Sequence, residues 1–126
     1  MKRIILCIIM FLIVLTLICF HMYKADLINK TVSDISQRVY ENYYNENWQE
    51  VEKDVESLVN IWKENRLWTS SVMSTDKVDE IEISIEQSYM YSKIRSKENF
   101  IGEFRMFCML IEHIKKQEEF SIYELL

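Results

Sequence analysis

Few side chains in this sequence could carry chemistry, and they stand far apart. There are two histidines, His21 and His113, and three cysteines, Cys7, Cys19 and Cys108. A zinc centre needs three or four converging nitrogen, sulfur or carboxylate ligands. His113 and Cys108 are five residues apart, which turns them to different sides of a helix. The same divergence works against a cysteine–histidine nucleophile pair. Cys108 follows Phe107 and reads as an inert core thiol. With one Gly and no Pro in the chain, no phosphate loop or nucleophile elbow can be built. Glu103 falls near the Phe107 and Ile111 side of its helix, where it would reach water or a basic neighbour; a raised pKa there would hint at a site. No catalytic, metal-ligating or cofactor-binding residue is assigned, and the chain reads as a non-enzyme.

Aromatic side chains are the other candidates. Trp48 and Trp62 lie fourteen residues apart, with Val51, Val55 and Leu58 between them in steps of three and four. That is the spacing of a helical core stripe. With Tyr89, Phe104 and Phe107 they form a candidate core, or alternatively the lining of a pocket between helices.

The elements that must position these residues start with an apolar segment. Ile4 to Phe20 has no charge, and extended to Tyr23 it is 20 residues, about 30 Å as a helix and enough to cross a bilayer. A cleaved signal peptide is the rival reading. It would need a small-x-small site, whereas Cys19-Phe20-His21-Met22-Tyr23 is bulky. Residues 4–23 are therefore expected to be an uncleaved anchor. Lys2 and Arg3 keep the tail, residues 1–3, cytoplasmic, and residues 24–126 are expected outside the cell membrane. Cys7 and Cys19 are ~18 Å apart along such a helix, too far to bridge. Removing Lys2 and Arg3 from the 15 basic residues leaves 13 against 20 acidic ones, a net of −7. Such a domain repels phosphate backbones, so nucleic acid is excluded as a partner.

The near absence of Gly and Pro favours helices joined by short polar turns. Helices are expected at about 24–44, continuing the anchor without a break, then 48–68, 75–95 and 97–116, followed by a tail. Their stripes are Ile28, Val32, Ile35 and Val39; Trp48 to Trp62 with Val59; Val78, Ile81, Ile85 and Tyr89; and Phe100, Phe104, Phe107, Ile111 and Ile114. Asn47 with Glu50 resembles a capping box, and Ser96 is a further cap. The stretch EIEISIE, Glu80 to Glu86, alternates like a strand, yet its flanks are helical and a lone strand would have no partner. The last helix has a wide apolar arc, flanked by Ile101, Met106, Cys108 and Leu110, which implies cover on more than one side. In the tail, Phe120, Ile122 and Leu125 are expected to tuck against the bundle. The fold class is all-α: a transmembrane helix continuing into an antiparallel up-and-down bundle of about four helices. No internal repeat is evident, although both helix pairs share one general design.

Some apolar residues miss these stripes. Ile61 and Trp68 fall one heptad apart, and Ile83, Met90 and Ile94 form a line at +7 and +4. Such rows either pack on other helices or the tail, or form a partner surface.

The chain also resembles a known family. The carriers are the basic start and single span, Glu46-Asn47 before Trp48, Trp62-Lys63 with Trp68 following, Val78-Asp79-Glu80-Ile81-Glu82, and above all LIEHIKKQEEFSIYELL, Leu110 to Leu126. This order resembles small membrane-anchored helical proteins of spore-forming, low-GC Gram-positive bacteria, catalogued as a domain of unknown function. Members often have Pro where Lys115 or Lys116 stands here, a departure that lets the last helix run longer. The resemblance implies no activity or cofactor. Because members are often encoded beside larger multi-pass membrane proteins, it implies an accessory subunit. The expected function is thus non-enzymatic: an anchored subunit docking on a multi-pass membrane or envelope protein, or on itself. The alternative is an outer helical bundle that holds a small ligand.

Overall fold

The structure, a computed structural model, describes residues 1–125; for Val72 and residues 118–125 it describes the backbone only. Five helices are present among the described residues: α1 Lys2–Tyr44, α2 Trp48–Glu64, α3 Arg66–Val72, α4 Thr75–Lys93 and α5 Lys97–Leu125. No strand occurs among them, so EIEISIE is helical. The chain divides into two compact units, Met1–Thr31 and Val32–Leu126.

The first unit is the leading part of α1. Every side chain from Ile4 to Tyr23 is exposed, and an 18-residue window reaches a mean hydropathy of 3.1, which makes the helix long and apolar enough to cross a membrane. The one hydroxyl between Ile4 and Phe20 is satisfied internally, since Thr16 Oγ1 donates to the Leu12 carbonyl at 2.8 Å. In a low-dielectric surrounding an unpaired hydroxyl would be costly.

The second unit is a helical bundle built from the rest of α1 with α2, α4 and α5. Its core is Val32, Ile35, Val39 and Tyr43 of α1; Val51, Val55, Leu58, Val59 and Trp62 of α2; Val78, Ile81 and Ile85 of α4; and Phe100, Phe104 and Phe107 of α5. The centres of the stripes read from spacing are here, with Tyr43 added, while their ends Ile28, Trp48, Tyr89, Ile111 and Ile114 are half-buried. Neighbours identify themselves through side chains. Arg38 of α1 pairs with Asp54 of α2 at 3.4 Å, Tyr40 of α1 meets Phe104 of α5 at 5.2 Å between ring centres, and α4 packs on both α2 and α5.

Two hairpins make this bundle, and they share one register. Buried Val32, Ile35, Ser36, Val39 and Tyr43 correspond to buried Ile81, Ser84, Ile85, Ser88 and Ser92, each 49 residues later; Val51, Val55 and Leu58 likewise correspond to Phe100, Phe104 and Phe107. The turns repeat too. Glu46 has φ 58° and Arg95 has φ 55°. The Glu46 and Asn47 amides close on the Tyr43 and Asn42 carbonyls, and the Arg95 and Ser96 amides on those of Ser92 and Tyr91. This is the Schellman pattern, whose left-handed residue is usually Gly. Replacing Arg95 by Gly should therefore raise stability by about 1 kcal/mol, read as a higher urea midpoint. Glu46→Gly should gain less, because it also removes the 3.1 Å pair with Lys97.

Several boundaries differ from the sequence expectation. The second helix stops at Glu64, where Asn65 leaves helical geometry (φ −103°, ψ 13°) and its side-chain amide donates to the Ile61 carbonyl at 2.8 Å. Part of the expected polar turn is instead α3, pinned by buried Thr69, whose hydroxyl donates to the Arg66 carbonyl. The expected helix to 95 ends at Lys93, and α5 runs on to Leu125, so the tail is helical backbone. The side chains of Phe120, Ile122 and Leu125 lie outside the described residues. The Asn47–Glu50 capping box does not form. Asn47 makes no side-chain cap bond, its ψ of 73° lying outside the usual cap region, and its backbone N–H, which Glu50 would have to meet, already donates to the Asn42 carbonyl. At Ser96 the carbonyl accepts the Phe100 amide, while the hydroxyl takes the Asn99 side chain at 2.8 Å.

Candidate functional site

α4 carries apolar residues on two opposite sides. Val78, Ile81 and Ile85 face inward, joined by buried Ser84, Ser88 and Ser92. Ile83, Met90 and Ile94 are 55%, 66% and 70% exposed, in a line turned about 180° from the core. This accounts for the strand-like alternation of EIEISIE: Ile81 and Ile85 point in and Ile83 points out. The serines are bound locally, Ser88 to the Ser84 carbonyl at 2.8 Å and Ser92 to the Tyr89 carbonyl at 2.6 Å. They add little bulk to the inner face, where Val78, Ile81 and Ile85 supply the apolar contacts.

Polar links flank this ridge. On one side Lys63 of α2 reaches Glu86 at 3.9 Å and Arg66 of α3 reaches Glu82 at 3.3 Å. On the other, the Gln87 amide, oriented to donate, lies 3.1 Å from both carboxylate oxygens of Glu103 on α5. Half-buried Glu103 thus has a neutral amide partner in the bundle wall. Lys93 sits 4.5 Å over the Tyr89 ring, and the Tyr89 hydroxyl raises its pKa.

The other expected surface residues are placed differently. Ile61 and Trp68 are half-buried and lie on separate helices, because Asn65 divides their heptad. Leu67, one residue earlier, is 91% exposed. Met106, expected to lie under cover, is exposed along with Met109. Ile101, Cys108 and Leu110 are half-buried, so the cover on the wide arc of α5 reaches both flanks but stops short of Met106. Periodicity marks a residue as off the stripe; it does not say which flank a neighbour covers.

Of the candidate core or pocket residues, Trp62, Phe104 and Phe107 are buried and Trp48 and Tyr89 half-buried. The rings fill space against each other: Phe104 stacks on Phe100 at 5.5 Å and leans on Phe107 at 6.0 Å, and Trp48 meets Tyr43 and Phe100 edge-on. The indole N–H of Trp62 and Oε1 of Glu82 are buried without a hydrogen-bond partner among the described residues.

Cys108 lies in the bundle wall. Burial pushes its thiol pKa up, more than hydrogen bonding with Tyr40 and Ser36 lowers it. Tyr40 is raised as well, by burial and then by the neighbouring thiol. Both stay protonated at neutral pH, so Cys108 lacks the thiolate that nucleophilic or metal chemistry uses. His113 is exposed, 3.3 Å from the Gln117 amide.

A family model described as a domain of unknown function, DUF4363, matches residues 19–125. No curated protein and no solved structure matches the chain.

Proposed function

The chain belongs to the DUF4363 family, a domain with no stated activity, and from that premise we propose that it is a membrane-anchored, non-enzymatic interaction subunit. Residues 4–23 tether it in the cell membrane, with Lys2 and Arg3 on the cytoplasmic side and the bundle outside. It docks on another membrane or envelope protein, or on a second copy of itself. The observation that carries this reading is the exposed ridge Ile83, Met90 and Ile94 on the far side of α4 from the core. Open rows of large apolar side chains mark interaction surfaces. The span itself offers little for recognition: from Ile4 to Phe20, Thr16 is the single member of the set Gly, Ala, Ser and Thr, the small residues that let membrane helices approach closely. Selection of a partner then rests with the second unit.

The test is recovery from native membranes. A C-terminally tagged chain, extracted in mild detergent, should bring down one partner in stoichiometric amount, a multi-pass membrane protein or an untagged copy of itself. Ile83→Asp/Met90→Glu should lose that partner while the helical circular dichroism stays unchanged. Recovery of the tagged chain as a single copy without any partner, or a partner indifferent to these changes, overturns the reading.

A further inference from the structure

The repeat between the hairpins supplies an internal control for the α4 ridge. Shifted back by 49 residues, Ile83, Met90 and Ile94 become Asp34, Glu41 and Asn45, and Met106 and Met109 of α5 become Ser57 and Asn60. Even the polar link is shared, since the Arg38–Asp54 pair falls on the positions of Gln87 and Glu103. Two hairpins of one design therefore differ on their outer faces: five polar positions on the first, five apolar ones on the second. Nothing in the shared inner packing requires that difference.

We propose that the outer α4–α5 face is the surface through which two copies of this chain associate. This rests on the reading of the ridge as a docking surface and names its occupant. Met106 is 51% and Met109 65% exposed, and with the α4 ridge the five side chains open on the order of 500 Å² per chain. Two copies face to face remove about 1,000 Å², the lower bound for a specific contact. The charges select the orientation. Despite Lys77, the start of α4 is acidic, with Asp76, Asp79 and Glu80, while its end, the following turn and the start of α5 carry Lys93, Arg95 and Lys97. A twofold axis that lays α4 antiparallel on its copy sets acid against base at both ends and puts Ile83 against the copy's Met90. Methionines suit such a seam because their flexible thioethers fill uneven gaps.

The experiment measures the mass of the full chain in mild detergent, with the detergent contribution subtracted, over a range of protein concentration. A two-chain particle is expected. Ile83→Asp/Met90→Glu, which gives α4 the Asp34 and Glu41 of the first hairpin, should weaken it by about a hundredfold with the melting curve unchanged. Should that variant fail to fold, the charges decide: Lys93→Asp/Arg95→Asp should weaken the pair by about tenfold, and adding Asp76→Lys/Asp79→Lys should restore it. A single-chain mass at all concentrations, a two-chain particle indifferent to the folded ridge variant, or charge variants without effect overturns the proposal. If the single chain nonetheless binds a different protein through Met90, the second copy fails and the docking reading stands. With neither, both fail.

Discussion

Replacing Phe104 by alanine is expected to cost about 4 kcal/mol, the usual range for emptying a buried aromatic site. Phe104 is fully buried, stacked on Phe100 at an interplanar angle of 10°, and touched edge-on by Tyr40. Two of its ring contacts lie along α5 and one crosses to α1, so truncation loosens the hairpin pairing as well as leaving a cavity. A small domain holds about 5–15 kcal/mol in total, and this loss should lower the melting temperature by tens of degrees. The counterpart in the first hairpin is Val55, also fully buried. Val55→Ala removes only two methyl groups and should cost about 2 kcal/mol. Thermal melts of both variants in detergent check the ranking. Equal effects would show that the aromatic stack is not where the bundle concentrates its packing.

That contrast also explains what the sequence concealed. The stripes were legible because every helix repeats its apolar residues at three and four, and Val51, Val55, Leu58 and Trp62 are all buried as spaced. The repeat between hairpins was hidden because packing fixes total volume more tightly than residue identity. Where α1 has Val39 and Tyr43, α4 has Ser88 and Ser92, and where α2 has Val51 and Val55, α5 has Phe100 and Phe104. Bulk has moved from one helix of the pair to the other, so residue type shows no repeat while burial matches at eight paired positions. The break at Asn65 was missed because Asn is acceptable in a helix, and its side-chain bond to the Ile61 carbonyl is a local choice that periodicity does not register. For the candidate site, spacing singled out Ile83, Met90 and Ile94, but Met106 and Leu67 required knowledge of which neighbour lies where.

Placing two arginines at the middle of the first unit, Leu12→Arg/Ile13→Arg, is expected to remove the chain from the membrane. Each arginine at the centre of a span costs about 2.5–3.5 kcal/mol on insertion, so the pair costs about 6 kcal/mol. That exceeds what the remaining apolar residues can spare, and the chain should leave the carbonate-resistant membrane fraction. A cleaved leader would also be damaged by this change, so the wild-type chain must be read alongside it. Mass spectrometry of the membrane-bound protein should find peptides that retain Ile4 to Phe20, because the flank Cys19-Phe20-His21 lacks the small residues a signal peptidase needs. A mature chain that starts near residue 21 would make this segment a leader and remove the tether from the proposed function. If the segment is retained, its having Thr16 alone among the small residues leads to a further expectation within the same experiment. A plain polyleucine span of equal length should restore both membrane retention and docking, since the span then acts only as a tether and the bundle does the recognising.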